Sequence, residues 1–350
     1  MLQRNINNPI IKPSMLTPSV DGYNVLGAFN PGATIFNNEI ILLMRVSENC
    51  PPEKNFINIP YYNFENNKSE AQILRIKKDD PQITLKDTRG IFYKGKDYLS
   101  TISHLRLARS YDGINFTIDE KPFIAPANET EKFGVEDARI SKIDDTYYIN
   151  YTGVSEDGYA TMLATTTNFI DIERKGIIFA PLNKDVTIFE EKVKGKYIAL
   201  HRPDNHGFGL PSIWYADSPD IIHWGNYKCL LRPDNSKWES QKIGAGSAPI
   251  KTKQGWLVLY HGKGDNSIYS LNLLLLDIND PSKIIKRCKE PIFTPKEDYE
   301  KNGFFGNVIF SNGLVTKPDG TILIYYGACD ETICLATTSV NELLFLLNNQ

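Results

Sequence analysis

The sequence has 350 residues, with 39 lysines and arginines against 42 aspartates and glutamates and a formal net charge of −3. A chain of this length can bury a large core, and its nearly balanced charge argues against nucleic acid or a membrane surface as a partner, so any cationic site must be local. Five scattered cysteines without a CxxC pair argue against a disulfide framework and a zinc site.

β-Strand patterns dominate the chain from its first hairpin onward. Residues 33–36 and 39–46 are rich in apolar and β-branched side chains and flank an Asn37-Asn38 turn, which predicts a hairpin. Several hairpins are followed by a strand of small residues with threonine, as at residues 163–166. This repeat of roughly 50 to 60 residues is typical of a propeller. Further hairpins are predicted around Asp144-Asp145, Gly195, Gln254-Gly255 and Pro318-Asp319-Gly320.

The repeat predicts an all-β fold, a five-bladed β-propeller with a short C-terminal helical tail. The five-blade count treats residues 51–100 as an insertion within the first blade, since counting them as a blade gives about six. The tail is predicted at residues 340–347, where Ser339 provides a cap and Glu342 follows three positions on. No domain boundary is evident, so residues 1–350 are expected to form a single propeller domain.

The stretch from Gly134 to Ile140 carries two adjacent carboxylates, Glu136 and Asp137, at the head of an apolar strand. Neighbouring side chains of a strand point to opposite faces, so we expect only one of the two to face a given cavity. Taken alone, the stretch fits a surface turn whose acids pair with Arg139 as well as it fits an active site.

Further candidate motifs occur at the predicted starts of inner strands in different blades, where a propeller gathers functional residues around its central channel. They are FNPG with Asn30 and its partner Arg45, NKD with Lys184 and Asp185 followed by His201-Arg202-Pro203, the loop with His206, IGAG preceded by Lys242, YHG with Tyr260 and His261, and YYGACD with Asp330.

This set of motifs, in this order, resembles glycoside hydrolase family 130, the mannoside phosphorylases and related mannosidases. The resemblance runs from about Pro9 to Thr338 through FNPG, GVEDAR, NKD and HRP, IGAG, GWLVLYHG and YYGACD. Ala138 departs from the family's motif, because many relatives carry proline at this position, directly after the aspartate of GVED. The resemblance implies a five-bladed propeller with a single catalytic aspartate in the GVED motif, which falls on Asp137.

The residue types also fit phosphorolysis. An inverting glycosidase needs one carboxylate to protonate the leaving oxygen and another to activate water. Phosphate is already an anionic nucleophile, so a phosphorylase needs cations in place of the base. Lys184, Arg202, Lys242 and His261 fit that requirement on motifs that match the family's phosphate-binding positions, and Tyr260 can add a hydroxyl donor. Substrate binding is assigned to Asn30, Arg45, Glu136, Arg139, Asp185, His206 and Asp330.

We therefore predict an inverting β-mannoside phosphorylase that forms α-mannose 1-phosphate and a shortened sugar. The resemblance implies that the proton of Asp137 is relayed through a hydroxyl of the mannose. The divergent FNPG and HRPDNHGFG loops favour β-1,2-linked over β-1,4-linked manno-oligosaccharides. Two alternatives stay open, a mannosidase of the same family and a carbohydrate-binding propeller without catalysis.

The expected partners are small molecules, mannosides and phosphate, with inorganic phosphate as co-substrate and no metal or other cofactor. Neither nucleic acid nor a membrane is expected, and a homo-oligomer is compatible with the sequence. The polar N-terminus lacks the apolar core of a signal peptide, and no run is long enough to span a bilayer. These features predict a cytoplasmic protein.

Overall fold

The chain is built almost wholly from β-strands in a computed structural model that describes residues 2–65, 68–87, 89–204, 207–235 and 238–350. Its helices are α1 (Asp298–Lys301), α2 (Val340–Asn349) and the 3-10 turns at Pro13–Met15 and Glu129–Glu131. The predicted all-β class and C-terminal helix are confirmed, with Ser339 accepting the capping bond from the Glu342 amide. Over the described part of the chain, no helix combines the length and apolar character needed to cross a membrane.

The first part of the chain contains the strands β1 (Gln3–Arg4), β2 (Asn24–Phe36), β3 (Glu39–Asn49), β4 (Phe56–Glu65), β5 (Lys68–Lys77), β6 (Ile83–Asp87), β7 (Gly90–Tyr93), β8 (Lys96–Leu99), β9 (Ile102–Ser110) and β10 (Thr117–Ile118). The first sheet has the strand order β10-β9-β3-β2, and all neighbouring strands in it are antiparallel. The segment between β3 and β9 forms a separate hairpin, β4-β5, and a three-stranded sheet, β6-β7-β8.

Four further sheets follow one another along the chain. The second sheet contains β11 (Gly134–Ile143), β12 (Thr146–Ser155), β13 (Gly158–Thr166) and β14 (Glu173–Phe179). The third contains β15 (Asn183–Ile188), β16 (Tyr197–Pro203), β17 (Ile213–Ser218) and β18 (Gly225–Leu231). The fourth contains β19 (Lys242–Ala245), β20 (Ile250–Thr252), β21 (Gly255–Lys263), β22 (Tyr269–Leu276) and β23 (Ile284–Arg287), and the fifth contains β24 (Ile309–Thr316), β25 (Thr321–Ala328) and β26 (Thr332–Ser339).

The N-terminal strand completes the fifth sheet. Strand β1 pairs with β26 in antiparallel register, Gln3 opposite Thr337 and Arg4 opposite Ala336. The fifth sheet therefore has the order β1-β26-β25-β24, and the two ends of the chain meet within it.

Buried apolar clusters lie between consecutive sheets and also join the fifth sheet to the first. Each cluster draws side chains from two sheets, so the sheets pack face to face in chain order. Representative members are Ile41 and Ile140 (first and second), Leu163 and Val186 (second and third), Leu200 and Val258 (third and fourth), Leu273 and Ile324 (fourth and fifth), and Leu323 and Leu42 (fifth and first).

Four of the sheets share an irregularity in their first strand. The register with the second strand shifts between Phe29 and Gly32 in β2, Glu136 and Arg139 in β11, Lys184 and Thr187 in β15, and Phe310 and Gly313 in β24. Three residues within these shifts, Asn30, Asp137 and Asp185, have left-handed φ angles of 47°, 51° and 53°. Such bulges break the two-residue alternation of a strand and redirect its side chains.

Candidate active site

A cavity of about 500 Å³ is lined by residues from all five sheets and from the segment between β3 and β9. Its charged side chains come from strands that are distant in sequence, and many of them belong to the bulged first strands. Of the residues predicted for the site, the cavity is lined by Asn30, Arg45, Glu136, Asp137, Lys184, Asp185, Arg202, Lys242 and Asp330.

Glu136 and Asp137 both line this cavity, and both contact Arg45. The expectation that strand alternation would allow only one of them to face it was wrong. The reason is the bulge in β11, where Asp137 takes a left-handed φ of 51° and the register shifts before Arg139. The alternation rule applies to regular strands and fails at this position.

Arg45 holds the two carboxylates together. Its Nη2 lies 2.7 Å from Glu136 Oε1, and its Nη1 lies 3.5 Å from Asp137 Oδ1. The remaining guanidinium nitrogen, Nε, donates to Ser103 Oγ at 3.1 Å. Arg45, which belongs to the first sheet, thereby neutralises charge on both acids and holds their two carboxylates at a fixed distance from each other.

The surroundings of Asp137 favour its ionised form. Asn30 Nδ2 donates to Asp137 Oδ1 at 3.0 Å, and Lys184 Nζ lies 3.8 Å from Oδ2. Burial acts to raise the pKa of Asp137, but the charges of Arg45, Lys184 and Arg139 and the Asn30 bond outweigh it, so the pKa lies below its ordinary value. Asp137 is therefore a carboxylate at neutral pH in the protein alone.

Asp330 is a second carboxyl in the cavity, with the opposite shift. Burial raises the pKa of Asp330 to about 6, with Arg45 opposing the shift and the charge of Asp137 adding to it. The same cavity therefore contains one carboxyl that stays ionised and another that binds a proton just below neutral pH.

Three cations, Lys184, Arg202 and Lys242, line the cavity together. Burial, followed by the charges of Arg202 and Lys184, lowers the pKa of Lys242 to about 7. Cations that destabilise one another in this way form a site that an anion such as phosphate stabilises. Among the residues that the structure describes, no group of three or more His, Cys, Asp or Glu side chains is placed to hold a metal ion.

Asp185 contacts both Arg202, which lines the cavity, and two side chains that are buried in the protein interior. Its carboxylate pairs with Arg202, accepts from Arg139 Nη2 at 3.2 Å, and lies 3.2 Å from His261 Nε2. The charges of Arg202 and Arg139 and the polar contact with His261 overcome the effect of burial and hold the pKa of Asp185 well below its usual range. Burial lowers the pKa of His261 to about 4, so this ring is neutral at neutral pH.

Two residues predicted to contact ligands, Arg139 and His261, are buried behind Asp185 and are not among the described residues that line the cavity. Arg139 is only 1% exposed and donates to the carbonyl oxygens of Asp137 and Ala245 at 3.0 and 3.2 Å. Their placement gives both side chains a supporting position, not the direct ligand contact that was predicted.

Tyr260 also lies away from the cavity, although it was predicted to donate to phosphate. Its hydroxyl donates to Glu239 Oε2 at 3.2 Å and accepts from Asn272 Nδ2 and Arg287 Nε at 3.2 and 2.9 Å. Tyr260 and His261 are adjacent on the regular strand β21, so their side chains point to opposite faces. The prediction for His206 lies outside the described residues.

Sequence reasoning missed several lining residues, chiefly in the segment between β3 and β9 and in the loop before β24. Arg89 and Tyr98 come from that segment, and Phe305 comes from the loop. The Arg89 guanidinium carbon lies 4.2 Å from the centre of the Phe305 ring, so the segment and the loop meet at the cavity. No local motif signals these positions, because the sequence pattern of an insertion does not show which part of the fold it covers. The aromatic lining that was not predicted also includes Phe133, Tyr159, Tyr269 and Phe304.

The sequence matches known mannoside phosphorylases along most of its length. A family model described as β-1,4-mannooligosaccharide phosphorylase matches residues 84–349. The β-1,2-mannobiose phosphorylase of Listeria innocua is 44% identical over 351 residues, which cover 99% of this chain and 98% of that protein. A 1,2-β-oligomannan phosphorylase of a Thermoanaerobacter species is 45% identical over 251 residues, covering 71% of this chain and 82% of that protein.

A solved structure gives the same result for the fold. The Listeria innocua β-1,2-mannobiose phosphorylase in complex with β-1,2-mannobiose has a TM-score of 0.95 and 43% identity, and the match covers 100% of this chain and 99% of that chain. The resemblance of the motifs is thereby confirmed, and the chain belongs to glycoside hydrolase family 130.

Proposed function

We propose that this chain is an inverting β-mannoside phosphorylase that cleaves β-1,2-linked manno-oligosaccharides with inorganic phosphate, giving α-mannose 1-phosphate and a shortened sugar. The observation that carries the proposal is that Lys184, Arg202 and Lys242 line the same cavity as Asp137. The β-1,2 linkage is supported by the names of the two relatives that are 44% and 45% identical.

The cation cluster supplies what phosphorolysis needs. Phosphate carries its own negative charge, so it can attack the anomeric carbon without a base, provided that cations hold it against the opposite face of the sugar. Arg202 can bind it through two nitrogens, while Lys184 and Lys242 act as point charges. In this arrangement, the phosphate attacks from the face opposite the aglycone and inverts the anomeric configuration.

Asp137 is the proposed source of the proton for the leaving oxygen. Because Lys184 and Arg45 keep it ionised in the protein alone, the bound phosphate has a second role. Its negative charge beside Lys184 offsets the positive field and raises the pKa of Asp137 towards a value at which it can hold a proton. As the family resemblance implies, this proton passes to the glycosidic oxygen through a hydroxyl of the mannose, with Asn30, Arg45 and Asp330 beside that sugar.

A mannosidase of the same family is the second candidate, and one observation favours it. Glu136 shares the cavity with Asp137, so two carboxylates are present, as an inverting hydrolase requires. However, Arg45 Nη2 lies 2.7 Å from Glu136 Oε1, so this oxygen is engaged by the pair and is not open to an attacking water. The three cations beside it have no role in activating water, which is why we favour phosphorolysis.

We also propose that the five sheets are the blades of a single propeller domain over residues 1–350, with the cavity at its centre. The apolar clusters that link each sheet to the next and the fifth to the first support this arrangement. Strands β3 and β9 pair directly from Ile40 and Ser110 to Glu48 and Ile102, which supports residues 51–100 as an insertion within the first blade.

The test is an assay of β-1,2- and β-1,4-mannobiose with and without phosphate. We expect cleavage of the β-1,2 disaccharide that requires phosphate and releases mannose 1-phosphate, whose α configuration is read from its anomeric signal by proton NMR. Release of free mannose at the same rate without phosphate would show a hydrolase instead.

Substitution of one cation separates the two candidates further. Lys242→Gln should raise the KM for phosphate strongly in a phosphorylase and leave a hydrolase nearly unchanged. Lys251→Gln is the matched control, because Lys251 lies in an exposed pair with Glu191.

A further inference from the structure

Asp185 was assigned to substrate binding, but its carboxylate is already engaged by the protein. The side chain is 1% exposed, and its contacts come from three different sheets: Arg139 from the second, Arg202 from the third and His261 from the fourth. A carboxylate oxygen has two lone pairs. Arg139 donates to Oδ1, while Arg202 and His261 lie against Oδ2 as close polar contacts without a well-aligned hydrogen bond. These three side chains crowd the carboxylate and leave little room for a sugar hydroxyl.

Neighbouring backbone encloses the same carboxylate. A Cβ added to Gly244 in β19 would lie 2.6 Å from Asp185 Oδ2 and 2.6 Å from His261 Cε1. The φ angle of Gly244 is not in the left-handed region, so glycine is not required there by the backbone. Glycine is needed because the strand passes directly against the Asp185 and His261 side chains and leaves no room for a Cβ atom.

The charges around Lys242 also indicate that Asp185 stabilises the cation cluster of Lys184, Arg202 and Lys242. The pKa of Lys242 is lowered by burial and by the positive charges of Arg202, Lys184 and Lys263. The negative charge of Asp185 acts in the opposite direction and raises it. Asp185 therefore offsets the mutual repulsion of a cation cluster that must exist before phosphate arrives.

We propose that Asp185 is a positioning residue of the phosphate site: it holds the Arg202 guanidinium towards the cavity from behind, and it does not bind the sugar. This inference rests on the proposed phosphorolysis. The neutral ring of His261 and the guanidinium of Arg139 complete the support by fixing the carboxylate from two further sheets.

The first experiment measures the separate KM values for phosphate and for β-1,2-mannobiose in Asp185→Asn. Asparagine has the same shape and tolerates the left-handed backbone at this position. We expect the phosphate KM to rise on the order of 10- to 100-fold, because a misplaced binding group is costly, and the mannobiose KM to change by less than about threefold. Glu191→Gln, which removes an exposed carboxylate from the β15-β16 hairpin, is the control.

A double-mutant cycle tests whether Asp185 acts through Arg202. If it does, Asp185→Asn combined with Arg202→Gln should bind phosphate no more weakly than Arg202→Gln alone. Additive losses would overturn the proposal, as would a rise in the mannobiose KM with an unchanged phosphate KM.

Gly244→Ala provides the same test if Asp185→Asn does not fold. It retains every charged group, and the atoms nearest to the added Cβ belong to the Asp185 and His261 side chains. It should therefore raise the phosphate KM selectively. An unchanged phosphate KM in Gly244→Ala contradicts the proposal. Wild-type protein that cleaves mannobiose without phosphate would instead refute the proposed function, so the two failures are distinguishable.

Discussion

Asn30 of the first sheet donates a 3.0 Å hydrogen bond to Asp137 of the second, and both residues are at bulges with left-handed backbone. The bond crosses the boundary between two sheets and contributes to the low pKa of the carboxyl. The bulges in β2 and β11 therefore bring these two side chains together in the cavity.

Asp137→Asn should abolish most turnover. Removing a general acid lowers kcat by about 10²- to 10⁴-fold, whereas Glu136→Gln should cost much less, since Glu136 is paired with Arg45. The measurement is kcat for phosphorolysis of β-1,2-mannobiose in both variants, with thermal melting to verify folding. Equal losses in the two variants would indicate a two-carboxylate mechanism.

Asn30→Asp should shift the pH profile of kcat. The new carboxylate faces Asp137 at hydrogen-bonding distance, and a like charge raises the pKa of a carboxyl. Because the acid acts in its protonated form, the alkaline limb of the kcat profile should move to higher pH by about one unit. Asn226→Asp, at an exposed left-handed position, should leave the profile in place. A shift to lower pH would contradict the assignment of Asp137 as the acid.

Anion binding should weaken as the pH rises through about 7, where Lys242 loses its proton. Below that pH, the ammonium attracts the anion, and above it the neutral amine does not. Sulfate is the suitable probe, because its charge is constant over this range, unlike that of phosphate. The measurement is the inhibition constant of sulfate against phosphate at several pH values. Lys242→Gln should remove this pH dependence, and a wild-type constant independent of pH would show that Lys242 does not take part.

Arg4→Ala should destabilise the whole fold. Arg4 in β1 pairs with the buried Glu300 through Nε at 2.7 Å and Nη2 at 2.9 Å. Without Arg4, the Glu300 carboxylate keeps hydrogen bonds from the Lys296 and Glu297 amides and the Tyr326 hydroxyl but loses its cationic partner. The loss of one partner of a buried pair costs about 3 kcal/mol. Chemical denaturation measures the loss. Arg75→Ala, which breaks the exposed pair with Glu53, should cost less than about 1 kcal/mol, and equal effects would contradict the role given to β1.

The sequence predicted turns better than it predicted bulges. The turn at Asn37-Asn38 was found because asparagine adopts the left-handed φ angles of 49° and 64° that such turns use. The bulge at Asp137 was not found, because a pattern of apolar and polar residues reports regular alternation only. The rule that wrongly separated Glu136 from Asp137 correctly separates Tyr260 from His261, since β21 has no register shift with its neighbours there.

Contacts between segments that are distant in the chain could not be predicted from the sequence either. Asp185 meets Arg139, Arg202 and His261, which belong to three different sheets. Composition and spacing identify such residues as charged and near strand ends, but do not show which of them pair with one another and which remain open to a ligand. Arg89 was missed for the related reason that the path of an inserted segment depends on packing that no local pattern encodes.

The pairing of β1 with β26 has a consequence for how the protein is made. Residues 3–4 are synthesised before the strands of the other four sheets, and their partners at 336–337 are synthesised after those strands. The fifth sheet therefore cannot be completed until the other four sheets have been synthesised. Pairing over so long a sequence separation is slow, so the last step of folding should be the docking of the N-terminal segment, after the other four sheets have formed.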